Sequence, residues 1–123
     1  MQTFSKNERL CSQVLIERLM EKGRTFNHAP FRISWMTIEK SAAPVRILIS
    51  VPKRNFRRAV DRNKLKRRIR EAYRKEKQKV YEVLLEKKIL LSVIYTAKTK
   101  IEYKEIEQKI SEALDRLNKA MMQ

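Results

Sequence analysis

Apolar positions recur along this chain with two different periods, and the switches between them outline the fold. From about Asn7 to Lys22, Leu10, Val14, Leu15 and Leu19 fall at helical intervals with charges between them, and Gly23 follows as a C-terminal cap. The period then changes to two. In Phe31–Ile38 (FRISWMTI), Phe31, Ile33 and Trp35 share one side of a predicted strand, while Arg32, Ser34 and Met36 share the other. The segment KSAAP, residues 40–44, reads as a turn, and Val45–Val51 (VRILISV) alternates again, with Val45, Ile47, Ile49 and Val51 on one face. Pro52 ends that strand because it has no N–H to donate to a ladder.

Beyond a polar crossing at residues 53–58, a long helix is expected, with Asp61 as its N-cap and an end near Leu85. Ile89–Ala97 (ILLSVIYTA) is apolar on both faces and rich in β-branched residues, the pattern of a central strand covered on both sides. The last helix, about Tyr103–Met121, aligns Ile106, Ile110, Ala113, Leu114, Leu117 and Met121 in one stripe. The order is helix, two or three strands, helix, strand, helix. That predicts one α+β or α/β sandwich over residues 1–123, with no repeat or linker.

Charge changes this picture at one place. The chain carries a net charge of +16, and between Lys53 and Lys75 twelve Lys or Arg face only two acids, Asp61 and Glu71. Advancing about 100° per residue from Leu65 puts Leu65, Ile69, Ala72 and Tyr73 in one buried stripe. Arg62, Lys66, Arg70 and Arg74 follow at i+4 along its edge with Asn63 and Arg67 beside them, while Lys64, Arg68, Glu71 and Lys75 occupy the other flank. Like charges at this spacing destabilise a helix by a few tenths of a kcal/mol per pair. The final helix avoids that cost by interleaving Glu105, Glu107, Glu112 and Asp115; the basic helix does not. Its arginines suit bidentate phosphate contact, so the ridge reads as a nucleic-acid surface. Asn63 is its one neutral hydrogen-bonding member, too little for reading DNA base edges, so a shaped RNA is expected and DNA is not. The strand face with Arg32, Ser34 and Met36 offers a second RNA surface, whereas Phe31 and Trp35 read as core.

Other chemistry is sparse. A single cysteine, Cys11, excludes an intrachain disulfide and reads as a small packing residue of the first helix. The single histidine, His28, reads as solvated or bonded to backbone. No Gly-rich phosphate loop or paired metal-ligating histidines are present. No apolar run approaches the ~20 residues of a membrane span. The first residues lack the apolar core of a secretory signal, so no membrane partner and a cytoplasmic location are expected. A protein nuclease using Asp61 and Glu71 with a metal is disfavoured, since one reads as a cap and the other as a surface charge.

The stretch VPKRNFRRAVDRNKLKRRIREAYR closely resembles the signature of the bacterial ribonuclease P protein family. There a V-x-K-[KR] strand end leads through a basic loop into an R-N-[RK]-x-K-R-x-x-R-E helix. The matching positions are Val51, Lys53 and Arg54, then Arg62, Asn63, Lys64, Lys66, Arg67, Arg70 and Glu71. The resemblance extends to the Arg9-Leu10 pair, Gly23, the strand pair and the last helix, nearly the whole chain. It implies an α-β-β-β-α-β-α sandwich, ribosomal protein S5 domain 2-like, with a left-handed β-α-β crossover at the signature helix. It further implies an accessory subunit of an endoribonuclease whose catalytic centre lies in a partner RNA. That RNA uses Mg²⁺ to remove the 5′ leader of precursor tRNA, and no cofactor is implied for this chain.

Carried over position by position, Arg62, Asn63, Lys64, Lys66, Arg67 and Arg70 would touch RNA, flanked by Lys53, Arg54, Arg57 and Arg58. A cleft for the leader would be lined by Ile16, Met20, Arg32, Ser34 and Met36. Many members carry phenylalanines where Ile16 and Met20 stand, and aliphatic side chains stack less well on bases. The alternative is a structural RNA-binding protein of another ribonucleoprotein, such as the ribosome.

Overall fold

In the computed structural model, residues 6–122 are described. A four-stranded sheet of order β1-β2-β4-β3 is built from β1 (Arg24–His28), β2 (Phe31–Ile38), β3 (Val45–Ser50) and β4 (Lys88–Tyr95). Three helices cover it: α1 (Gln13–Lys22), α2 (Ala59–Leu84) and α3 (Tyr103–Met121). β2 runs antiparallel to both β1 and β4, while β3 and β4 are parallel neighbours joined through the 26-residue α2. β4 is the central strand its composition predicts, with Ile89 through Val93 all buried. One of its faces meets α2 and α3 through Ile89, Leu91 and Val93, and the other meets α1 through Leu90.

The alternation in β2 and β3 sorts their side chains as expected. Phe31, Ile33, Trp35, Val45, Ile47 and Val51 enter the main core with the α2 stripe (Leu65, Ile69, Ala72, Tyr73, Val80 and Leu84). The same core receives Ile106, Ile110, Ala113, Leu114 and Leu117 of α3. A smaller cluster on the opposite face joins Leu10, Leu19 and Leu90, packed by Leu15, Ile16, Met36, Ile38 and Leu48.

Three local expectations are corrected. The first helix starts at Gln13 rather than near Asn7, because Ser12 caps it, its side chain accepting from the Leu15 N–H at 3.3 Å. Residues ahead of it instead run beside β3: Arg9 bridges Ile47, and the Leu10 N–H donates to the Ile47 carbonyl at 2.9 Å. This covers a sheet edge that would otherwise leave its ladder unpaired. Cys11 therefore sits exposed in that lead-in, not packed within the helix. Second, Asp61 is not the N-cap of α2. Arg58 holds that place with an extended backbone, and Asp61, three residues on, bonds Lys100 at 2.7 Å. Third, His28 bonds a carboxylate: its Nε2 lies 2.9 Å from Glu112 Oε1.

Gly23 closes α1 with an extended backbone, so a left-handed turn is not why glycine stands there. Its N–H donates to the Leu19 carbonyl at 2.8 Å, and a Cβ would collide with that same oxygen. Close approach is the requirement.

Candidate nucleic-acid interface

The basic segment folds as a shaped loop followed by the first half of α2. After β3, residues 53–55 form a turn in which the Asn55 N–H donates to the Pro52 carbonyl at 3.1 Å. Phe56 anchors the loop, buried with its ring 6.0 Å from that of Tyr95. Arg62 then reaches back from α2 and donates through Nη1 to the carbonyls of Phe56 (2.8 Å) and Arg57 (2.9 Å). One ridge arginine thereby braces the loop that carries the others. Lys53, Arg54, Arg57 and Arg58 are all exposed on that loop, and Asn63, Lys64 and Arg67 are exposed on the helix beside it. Lys66 and Arg70 are half-buried on the flank facing β3.

From Arg68 onward, the cations on the flank of α2 that faces α3 are held by the protein's own groups. Arg68 donates to the Ile101 carbonyl at 3.1 Å, and Lys75 lies 3.6 Å from Glu107. Lys79 meets Asp115 at 3.1 Å and the Ser111 hydroxyl at 2.8 Å. Glu71 accepts from Arg74 Nε at 3.0 Å, which lowers its carboxyl below the ordinary value. The hydrogen bond from Lys100 does the same for Asp61. Lys66 and Arg67, by contrast, have no carboxylate partner among the described residues. The positive potential therefore concentrates on the loop and on the β3-facing flank.

The side chains expected to line a groove between α1 and the sheet do not share one surface. Ile16 and Met36 pack into the small core under α1, while Met20 projects from that helix, 47% exposed. Ser34 is buried, its Oγ 3.0 Å from Thr25 Oγ1, so it lies below the floor. Arg32 is exposed in a row with Ile94 and Ser50, at the end of the sheet nearest the basic loop. The open part of this face is thus continuous with the loop, beyond the part that α1 covers.

The sequence and fold recur in known proteins. The family model for ribonuclease P matches residues 4–118. The chain belongs to the ribonuclease P protein family. A ribonuclease P protein component from Porphyromonas gingivalis is 39% identical over 93 residues, covering 75% of this chain and 68% of that protein. One from Chlorobium phaeobacteroides is 37% identical over 83 residues, 64% of this chain and 57% of that protein. Among solved structures, the ribonuclease P protein of Staphylococcus aureus superposes with a TM-score of 0.69 at 26% identity, covering 91% of this chain and 96% of that one. That of Thermotoga maritima shares the fold, with a TM-score of 0.71 at 24% identity, covering 89% and 96%. Family membership makes the chain the protein component of an endoribonuclease holoenzyme with an RNA partner. Among the described residues, no helix is long and apolar enough to cross a membrane.

Sequence reading missed two features of this interface. Lys77 is buried on the continuation of the apolar stripe, four residues after Tyr73, and pairs with Glu8 at 2.8 Å. A lysine on a buried stripe requires a carboxylate partner, so its position was a usable signal. Arg9 is marked in sequence only by the family resemblance; its place at the edge of β3, across a small cavity from α2, comes from the tertiary fold.

Proposed function

We propose that this chain is an RNA-binding accessory subunit that lays its basic loop and the β3-facing flank of α2 on the catalytic RNA of ribonuclease P. Lys53, Arg54, Arg57, Arg58, Asn63, Lys64, Lys66, Arg67 and Arg70 meet phosphates, while Arg62 shapes the loop through its two carbonyl contacts. The 5′ leader of precursor tRNA runs over the open corner of the sheet at Arg32, with Met20 at the edge of α1. One observation carries the reading: in a chain of this family, the signature helix keeps the α3-facing cations from Lys75 onward paired with acids while Lys66 and Arg67 have no carboxylate partner among the described residues. Mg²⁺ and the cleavage chemistry belong to the RNA. The acids nearest the interface, Asp61 and Glu71, are held by Lys100 and Arg74, so that donor set is already committed to the protein's own cations. The work takes place in the cytoplasm, where tRNA precursors are made.

The test is reconstitution with a bacterial catalytic RNA at low Mg²⁺, using precursor tRNA with and without its leader. Added protein is expected to accelerate cleavage and to favour the leader-bearing substrate, while protein alone cleaves nothing. Unchanged cleavage at low Mg²⁺ would sink the proposal.

A further inference from the structure

The C-terminal ends of α2 and α3 meet the β1–β2 pair at the opposite end of α2 from the basic loop. The helix between the two places has 26 residues and spans about 39 Å. An open groove of about 630 Å³ lies there, floored by Trp35, Leu84 and Met121, with the exposed Met122 at its rim. A second hollow of about 720 Å³ shares Val83, Leu84 and Lys87 with it and adds Leu85. Two joined hollows suit an extended occupant rather than a compact small molecule.

Leu85 is the residue here that the fold itself does not call for. It ends α2 with φ 57° and ψ −109°, and its side chain is 83% exposed. A Cβ is disfavoured in that half of backbone space, and glycine or asparagine ordinarily closes a helix there. Neither the backbone nor the solvent favours leucine at this position. An apolar side chain kept there at such a cost points to a contact outside the chain.

Charge narrows the choice of occupant. Lys22, Arg24 and Lys87 stand around the groove, exposed and without a carboxylate partner among the described residues. Glu86 is the one acid among the described residues lining it. An apolar centre within a cationic rim complements an acidic, amphipathic partner. RNA fits less well. The Arg24 guanidinium already lies 5.2 Å from the Trp35 ring, which is 6% exposed, so no aromatic face is open to stack a base. A second copy fits least, since each chain carries +16.

We propose that this groove docks an acidic amphipathic segment of a protein partner. Its apolar side chains rest on Leu84, Leu85 and the two methionines, and its carboxylates meet Lys22, Arg24 and Lys87. Occupied, the groove leaves the basic loop free, so the chain holds this partner and an RNA at opposite ends of one helix.

The test uses the full chain at about 0.15 M salt, where exposed charges are screened beyond roughly 8 Å. The probe is a dansyl-labelled synthetic peptide of glutamates with leucines at i, i+3, i+4 and i+7; the control peptide has the same composition with its leucines scattered. Trp35, the single tryptophan, reports occupancy by energy transfer to the dansyl group. The patterned peptide is expected to bind one to one and about tenfold more tightly than the control, as burial of a leucine side chain gives. Leu85→Gly should remove that advantage while its thermal midpoint stays level or rises, because glycine accepts the backbone there. Reversing Lys22 and Lys87 to glutamate should weaken binding, whereas Lys104→Ala, at the start of α3, leaves it unchanged. Equal affinity for the two peptides, or binding indifferent to Leu85→Gly, overturns the proposal. A lower midpoint for Leu85→Gly makes the leucine structural and overturns it as well. So does displacement of the peptide by a single-stranded oligonucleotide, which makes the groove an RNA surface. A dimer in sedimentation that Leu85→Gly dissolves assigns the groove to a second copy instead.

Discussion

On the flank of α2 that faces α3, Arg68 donates to the Ile101 carbonyl at 3.1 Å, Lys75 approaches Glu107 at 3.6 Å, and Lys79 reaches Asp115 at 3.1 Å. Away from that flank, Lys66 and Arg67 have no carboxylate partner among the described residues, and Arg70 lines a small cavity with Arg9 and β3. Both flanks look equally basic in sequence. The difference lies in what each one faces: α3 supplies acids and open carbonyls, whereas the lead-in and the edge of β3 supply further arginines. The density of cations marked the helix, but the neighbouring elements divided its charges between holding the fold together and meeting an anion.

Three changes test that division. The largest effect is expected between the flanks, at Ile69, fully buried in the main core. Ile69→Ala should cost about 2–5 kcal/mol in urea unfolding, while leaving the RNA affinity of the folded fraction intact. If both fell together at a stability well above the transition, the interface would depend on core packing. The next contrast is direct. Arg68→Ala removes a charge-assisted bond to a carbonyl and should lower stability by about 1–3 kcal/mol with little change in the salt dependence of RNA binding. Arg67→Ala should do the opposite: unfolding unchanged, and the slope of log affinity against log salt reduced by roughly 0.7–0.9 for one phosphate contact. Equal behaviour of the two variants would erase the distinction between the flanks.

The smallest effect concerns pH. Asp61, Glu71 and Glu112 all have carboxyls lowered from ordinary values of 3.8, 4.5 and 4.5, chiefly by hydrogen bonds from Lys100, Arg74 and His28. A carboxyl lowered by folding contributes stability that is present above its unfolded value and is lost as pH falls through the folded one. Thermal midpoints should therefore be flat above about pH 5 and decline below the ordinary carboxylate range. Lys100→Ala should shrink the Asp61 part of that acid loss without touching the neutral-pH interface. A midpoint that rose on acidification would contradict these pairings.

Much of the fold was legible because its signals are local. The stripe of α3 runs from Tyr103 to Met121 as its period predicts, and β4 is recognisable as central because Ile89, Leu91 and Val93 on one face and Leu90 on the other are all apolar. The start of α1 was misplaced for a physical reason: Leu10 continues the helical period but is buried beside Leu90 from an extended segment. Burial, not helicity, was what its apolarity recorded. Asp61 was misread similarly, since an acid near a helix start serves as a cap or as an ion-pair partner, and Lys100 decided which.

The sequence alone determined that a cationic ridge rides on a buried stripe, because charge and helical period both reside in consecutive residues. It also carried the family signature, for the same reason. Tertiary structure decided which cations remain available. Pairing depends on residues far apart in the chain, such as Arg68 with Ile101 and Lys77 with Glu8. Electrostatic attraction falls with distance in space and is indifferent to separation along the chain, so only the folded arrangement distinguishes a structural arginine from one that meets RNA.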